Sequence, residues 1–112
     1  NTEQLKFGKG YDHNFVLSQP WGVLRPIAKV RESKTGRVLE ISSTEPALQF
    51  YSGNFLDGSI IGKNKTKYKF RNAFVLEPQH FPDSPNKPDF PTVRLNPGDT
   101  YKHTTIYKFS TK

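Results

Sequence analysis

The chain is predicted to be all-β, an antiparallel β-sandwich, and three observations carry that prediction. Apolar residues alternate with polar ones in short runs bounded by Gly, Pro, Asn, Asp and Ser, which is the period of a half-buried strand. Nine Phe, five Tyr and one Trp make up 13% of the residues, and rings pack well on pleated surfaces. No segment keeps a 3.6-residue apolar period over about ten positions, so no long amphipathic helix is expected. Hydrophobic residues are only 33% of the 112, against roughly 45–50% apolar in ordinary globular chains. The core should therefore be thin.

Residues 1–9 are polar apart from Leu5 and Phe7 and read as a lead-in. Asn14–Leu17 is a short strand. Ile27–Arg31 and Arg37–Ser43 both alternate, and Ser33-Lys34-Thr35-Gly36 between them places Gly where a turn requires positive φ, so 27–43 is a hairpin. Ala47–Tyr51 is a further strand, followed by a loop carrying Gly53, Asn54, Asp57 and Gly58. Lys63, Lys65, Lys67, Lys69 and Arg71 occupy alternate positions, and a strand over 65–71 would gather them on one face. The leading interpretation of that stripe is a lysine-guarded sheet edge; an anion-binding face is the alternative. The apolar run Ala73–Leu76 leads into Glu77–Pro91, whose five prolines exclude a helix or central strand and predict an ordered surface loop held by aromatic anchors. Thr92–Leu95 and Thr100–Phe109 close the chain as strands around the turn Asn96-Pro97-Gly98-Asp99.

Several function classes are excluded at this stage. Without cysteine there is no disulfide framework, thiol nucleophile or Cys-based zinc site. The longest apolar runs are about four residues, far short of the ~20 that cross a bilayer, so a soluble chain with no membrane partner is expected. Residues 1–4 do not read as a signal peptide, cytoplasm is slightly favoured, and the sequon Asn64-Lys65-Thr66 does not fix a secretory route. Phosphate-cradling Gly-rich loops and hydrolase elbows are absent. His13, His80 and His103 lack ligand spacing, so no metal is expected. Seventeen Lys and Arg against ten Asp and Glu give +7 and a pI near 9.7, which meets the first criterion for a nucleic-acid binder. No reading motif accompanies that charge, and nucleic acid is not the expected partner.

Two segments carry candidate chemistry. Glu77 follows four apolar residues, so its carboxylate is expected to emerge partly desolvated where a buried strand ends; desolvation raises an acid's pKa and makes it a better general base. The bland alternative is a hydrogen-bonded structural Glu. In Gly10-Tyr11-Asp12-His13-Asn14-Phe15, Asp12 and Asn14 share a face if the strand starts early, and both can hold sugar hydroxyls. The alternative there is a turn in which Asp12 and Asn14 satisfy their own backbone.

Five blocks together add a resemblance: Gly10–Phe15; Ser33-x-x-Gly36-Arg37-Val38-Leu39-Glu40; Pro46–Gly58; Leu76–Asn86; and Leu95-x-Pro97-Gly98-x-x-Tyr101. In order and spacing they resemble the aldose 1-epimerase (galactose mutarotase) family, over the C-terminal third of its single large β-sandwich domain. The resemblance implies that residues 1–112 are the C-terminal part of one such domain, with the upstream part absent. It also implies an isomerase that interconverts the α and β anomers of a free aldohexose, galactose or glucose, by acid–base ring opening with no cofactor. Glu77, in the Leu-Glu-x-Gln block, is similar to the family's base, while Asp12 and Gln49 look like sugar-binding residues. The family's general acid is an upstream His that none of the three histidines matches. The chain alone is therefore expected to be inactive and, with sandwich face uncovered, to self-associate. A non-catalytic carbohydrate-binding protein on the same fold is the alternative. Ala47-Leu48 and Pro78 depart from the family's usual residues without touching these positions.

Overall fold

The structure is a computed structural model and describes residues 2–112. Its elements are α1 (Glu3–Phe7), β1 (Asp12–Val16), β2 (Arg25–Arg31), β3 (Arg37–Ser43), β4 (Ala47–Tyr51), β5 (Val75–Gln79) and β6 (Thr105–Thr111), with 3-10 turns at Lys63–Lys65 and Ser84–Asn86. The class is all-β as expected, and the lead-in turns out to hold one short helix. Two three-stranded sheets run in the orders β1-β4-β5 and β2-β3-β6. The chain divides into two compact units, Asn1–Phe15 with Gln49–Glu77 and Val16–Leu48 with Pro78–Lys112.

The second unit is built on β3, which pairs antiparallel with β2 on one side and β6 on the other. Glu40 stands opposite both Lys29 and Lys108, and its carboxylate meets their ammoniums at 2.9 and 3.6 Å. The Lys29 hydrogen bond, then its charge, holds the Glu40 carboxyl below the usual carboxylate range. The β2–β3 turn uses Gly36 at φ 73°, where a side chain would run into the Lys112 carbonyl. Glu32 ties that turn by accepting the N–H groups of Lys34 and Thr35. β2 bulges between Pro26 and Ala28, next to a proline that has no N–H to give the ladder.

Burial peaks at the end of β3 and beyond it. Val38, Ile41, Ala47 and Leu48 are the buried hydrophobic residues, a core as thin as the composition predicts. Glu45 sits in the same stretch with only 3% of its surface exposed. A buried carboxylate is stable only when its oxygens are occupied. Tyr101 Oη donates to Oε1 at 2.7 Å and His80 Nδ1 lies 2.7 Å from Oε2, while the Glu45 N–H is taken by Ser43 Oγ. The hydrogen bond to Glu45, with burial and the carboxylate's charge, pushes the Tyr101 phenol up to about 12. Beyond His80 the proline-rich segment is anchored by rings as expected: Phe81 packs edge-on against both Trp21 and Phe90, at 5.5 and 5.2 Å between centroids.

Three expected elements differ. Residues 65–71 are not a strand, because Asn64, Lys65 and Arg71 adopt left-handed φ of 56–58° and the chain doubles back. Gly62 N–H reaches the Thr66 carbonyl and Tyr68 N–H the Ile60 carbonyl, making a small irregular hairpin with Lys63–Lys65 at its tip. The alternate cations therefore share no face. Thr92–Leu95 is not a strand either, because Thr92 Oγ1 captures the Arg94 N–H and competes with a ladder. The proline segment begins later than expected, since β5 runs through Glu77 and Pro78 to Gln79; β5 lies at the edge of its sheet, where a missing N–H costs no ladder bond.

Ile41 is the largest apolar side chain that is fully buried. Ile41→Ala is expected to lower unfolding free energy by about 2–5 kcal/mol, read from urea midpoints. Tyr101 supplies a pH signature. Its folded pKa of about 12 stands above the ~10 of a free phenol, so the proton bound by the folded state stabilises it fully below pH ~10. That contribution is lost as pH rises through about 12. Tyr101→Phe should remove this alkaline component from the stability profile and, because Glu45 Oε1 then loses its donor, also lower stability at neutral pH.

Candidate functional site

The first unit carries the three residues singled out from the sequence, one on each strand of its sheet: Asp12 opens β1, Gln49 is central in β4 and Glu77 is central in β5. Of these, Asp12 and Gln49 meet. Gln49 Nε2 donates to Asp12 Oδ1 at 2.8 Å across neighbouring strands, so Asp12 is not folded onto its own backbone as a turn residue. β1 starts at Asp12, and strand alternation puts Asn14 on the same face. His13, pointing the other way in the alternation, accepts the Asp12 N–H at Nδ1.

Two polar atoms near this pair are unmatched. Asn14 Nδ2 and Gln49 Oε1 are buried and have no hydrogen-bond partner among the described residues. An unpaired buried donor or acceptor costs about 1–3 kcal/mol, so these two atoms call for a partner that the described residues do not supply. Together they are a donor and an acceptor beside an acceptor-only carboxylate, which is the complement of a ligand bearing several hydroxyls. A cavity of about 430 Å³ is lined by Asp12, His13 and Asn14 together with Phe7 and Phe55.

The backbone around this site is held by side chains. Ser52 Oγ accepts the Tyr11 N–H at 3.0 Å and donates to Asn54 Oδ1 at 2.6 Å, and Asn54 Nδ2 donates to the Tyr11 carbonyl at 2.7 Å. Asn54 is buried, and the Tyr11 ring packs on Phe50 at 5.4 Å. The entry into β1 is thereby fixed against the end of β4.

Glu77 departs from expectation. It is exposed, and so are Phe74 and Val75 before it. The apolar run Ala73–Leu76 is not a buried strand in this chain, so no desolvated strand end exists for the carboxylate to emerge from. Glu77 shares the sheet with Asp12 and Gln49: β5 neighbours β4, which carries Gln49, and β4 separates it from β1, which carries Asp12. No group of three or more His, Cys, Asp or Glu side chains is arranged to hold a metal among the described residues. No helix of the described residues is long and apolar enough to cross a membrane. The Glu45–His80–Tyr101 cluster escaped the sequence reading altogether, because nothing in Thr44-Glu45-Pro46 signals a buried carboxylate and its partners are 35 and 56 positions away.

Comparison with known proteins bears on the family and the fold. The family model described as aldose 1-epimerase matches residues 1–108. Galactose mutarotases of Mus musculus and Homo sapiens are each 48% identical over 101 residues, 90% of this chain and 29% of theirs. The aldose 1-epimerase of Escherichia coli strain K12 is 39% identical over 103 residues, again 90% of this chain and 30% of its own. The crystal structure of the GalM/aldose epimerase homologue from C. elegans superposes with a TM-score of 0.80 at 32% identity, covering 90% of this chain and 30% of that one. The chain thus spans about three-tenths of the length of the relatives it matches. Over that span, in sequence blocks and in the strands that carry them, it belongs to the aldose 1-epimerase family.

Proposed function

We propose that the protein interconverts the α and β anomers of a free aldohexose, galactose or glucose, with this chain supplying the sugar grip and the general base. The observation that carries this reading is the Asp12–Gln49 pair at 2.8 Å flanked by the unpaired amide atoms of Asn14 and Gln49. Asp12 accepts from sugar hydroxyls, and Gln49 Oε1 and Asn14 Nδ2 add one acceptor and one donor. Glu77 takes the proton from the C1 hydroxyl, while an acid protonates the ring oxygen as the C1–O5 bond breaks. The open-chain aldehyde then rotates about C1–C2, and the C5 hydroxyl attacks the other face of the carbonyl, returning both protons. No redox change and no added group are involved, so the cycle balances without a cofactor.

The general acid is assigned to none of the histidines in this chain. His13 Nδ1 is occupied by a backbone N–H and His80 Nδ1 by the buried Glu45. A second reading is a carbohydrate-binding protein without turnover, which needs only the Asp12–Gln49 pair.

Polarimetry on freshly dissolved α-glucose or α-galactose separates the two. The 112-residue chain should accelerate mutarotation little, because an acid and a base each contribute about 10²–10⁴-fold. In a protein spanning the relatives' full length, Glu77→Gln should lower turnover by ~10²–10⁴ with a smaller change in sugar affinity. Asp12→Asn should weaken binding at least as much as turnover. Near-normal turnover with a raised KM in Glu77→Gln would move the base elsewhere, and saturable sugar binding without any turnover would establish the second reading.

A further inference from the structure

The alternate cations of 63–71 do not form a face, but one of them, Arg71, joins two others from the N-terminal segment. Lys6 on α1, Lys9 just after it and Arg71 line one cavity of about 470 Å³, together with Gly10, Tyr11 and Ser52. All belong to the first unit. Among the described residues no carboxylate lines this cavity, so its three cationic residues have no acidic neighbour in its lining.

Its walls are built rather than incidental. Arg71 Nη2 donates to the Lys9 carbonyl at 3.0 Å, joining two segments 62 positions apart. Both residues sit in the left-handed region, Lys9 at φ 54° and Arg71 at φ 58°, a conformation that costs about 1 kcal/mol or more for a side-chain-bearing residue. The Arg71 N–H is fixed to the Gly53 carbonyl, and its guanidinium lies 4.7 Å from the Phe70 ring centroid. Gly10 leaves no room for a side chain, because a Cβ there would overlap Asn54, which in turn holds the Tyr11 carbonyl. Two strained cationic residues, tied to each other and to a braced backbone, thus line one space. Strain of this kind persists where surrounding structure enforces it, and it clusters at ligand clamps. Like charges held together gain most from an anion of double charge with several acceptor oxygens.

We propose that Lys6, Lys9 and Arg71 form a binding site for a phosphate monoester dianion, separate from the Asp12–Gln49 sugar grip. The guanidinium offers directed N–H donors and the two ammoniums offer mobile charge, a combination suited to a tetrahedral oxyanion. Inorganic phosphate and the phosphate of a hexose phosphate share this chemistry.

Calorimetric titration of the 112-residue chain at constant ionic strength tests the site, with inorganic phosphate, a hexose 6-phosphate, the free hexose and a single-stranded oligonucleotide as separate arms. Saturable phosphate binding is expected, and Lys9→Asn with Arg71→Asn should weaken it about tenfold or more. Asn removes the charge while tolerating left-handed φ. Lys6→Gln provides a second variant on an exposed helical position whose ammonium makes no hydrogen bond, and it should weaken phosphate binding in any case. Tighter binding of the hexose phosphate than of inorganic phosphate and free hexose would support the site and identify a sugar phosphate as the source; equal binding of the two phosphates would support the site with free phosphate as its ligand. No saturable binding beyond a chloride control, binding unchanged in all three substitutions, or tighter binding of the oligonucleotide would overturn the proposal. Loss of sugar binding at Asp12 has no bearing on the inorganic-phosphate readout.

Discussion

A carboxylate removed from water must have its oxygens occupied, and the second unit is arranged around that requirement at Glu45. The side chain lies within the most buried stretch of the chain, which starts at Ile41 and ends at Leu48. Its two oxygens draw His80 and Tyr101 onto the connection between β3 and β4, so two segments with little regular structure are tied to the core by charge-assisted hydrogen bonds. Removing one partner from such a cluster leaves a buried charge short of a bond, which costs more than the bond itself contributes. With only four buried hydrophobic residues among the described ones, this polar clamp and the Phe81 ring contacts carry much of the order of the proline segment.

The proposed sugar grip rests on a different constraint, the alternation of side chains across a sheet. Asp12 and Asn14 share a face because they are two apart on β1, and Gln49 reaches Asp12 because β4 is β1's neighbour. The amide of Gln49 is half used, with Nε2 committed and Oε1 free. That division orients the carboxylate through one half of the amide and leaves the other half without a partner among the described residues. Family membership gives the same residues a sugar to hold, and the exposed Glu77 on β5 a proton to move, on the reading proposed above.

Where local pattern and long-range contact agree, the sequence was legible. β3 and β4 begin and end where the alternation predicts, and Gly36 marks the turn before β3. Asp12 stood out as a candidate from its place at the start of a strand, whereas Gln49 stood out only through family resemblance, since one Gln in an apolar strand carries no signal of its own. The failures share a cause. Residues 65–71 alternate as a strand should, yet three side-chain-bearing residues at or next to that run adopt positive φ because the Gly53 carbonyl, the Thr66 carbonyl and the Tyr68 backbone offer better partners than a straight ladder. The desolvation expected of Glu77 failed because burial depends on what lies over a strand, and periodicity is silent about that.

The sequence by itself determined the all-β class, the β2–β3 hairpin, the β4 strand and the family, because these follow from periodicity, turn chemistry and the order of blocks along the chain. Tertiary structure decided the partners of Glu45, the pairing of Asp12 with Gln49, the exposure of Glu77 and the meeting of Lys6, Lys9 and Arg71. Each of these is a contact between residues far apart in the chain or a degree of solvent access, apart from the closeness of Lys6 to Lys9. Such quantities are set by how segments pack, and hydrophobic and polar patterns along a strand are compatible with many packings that differ in them.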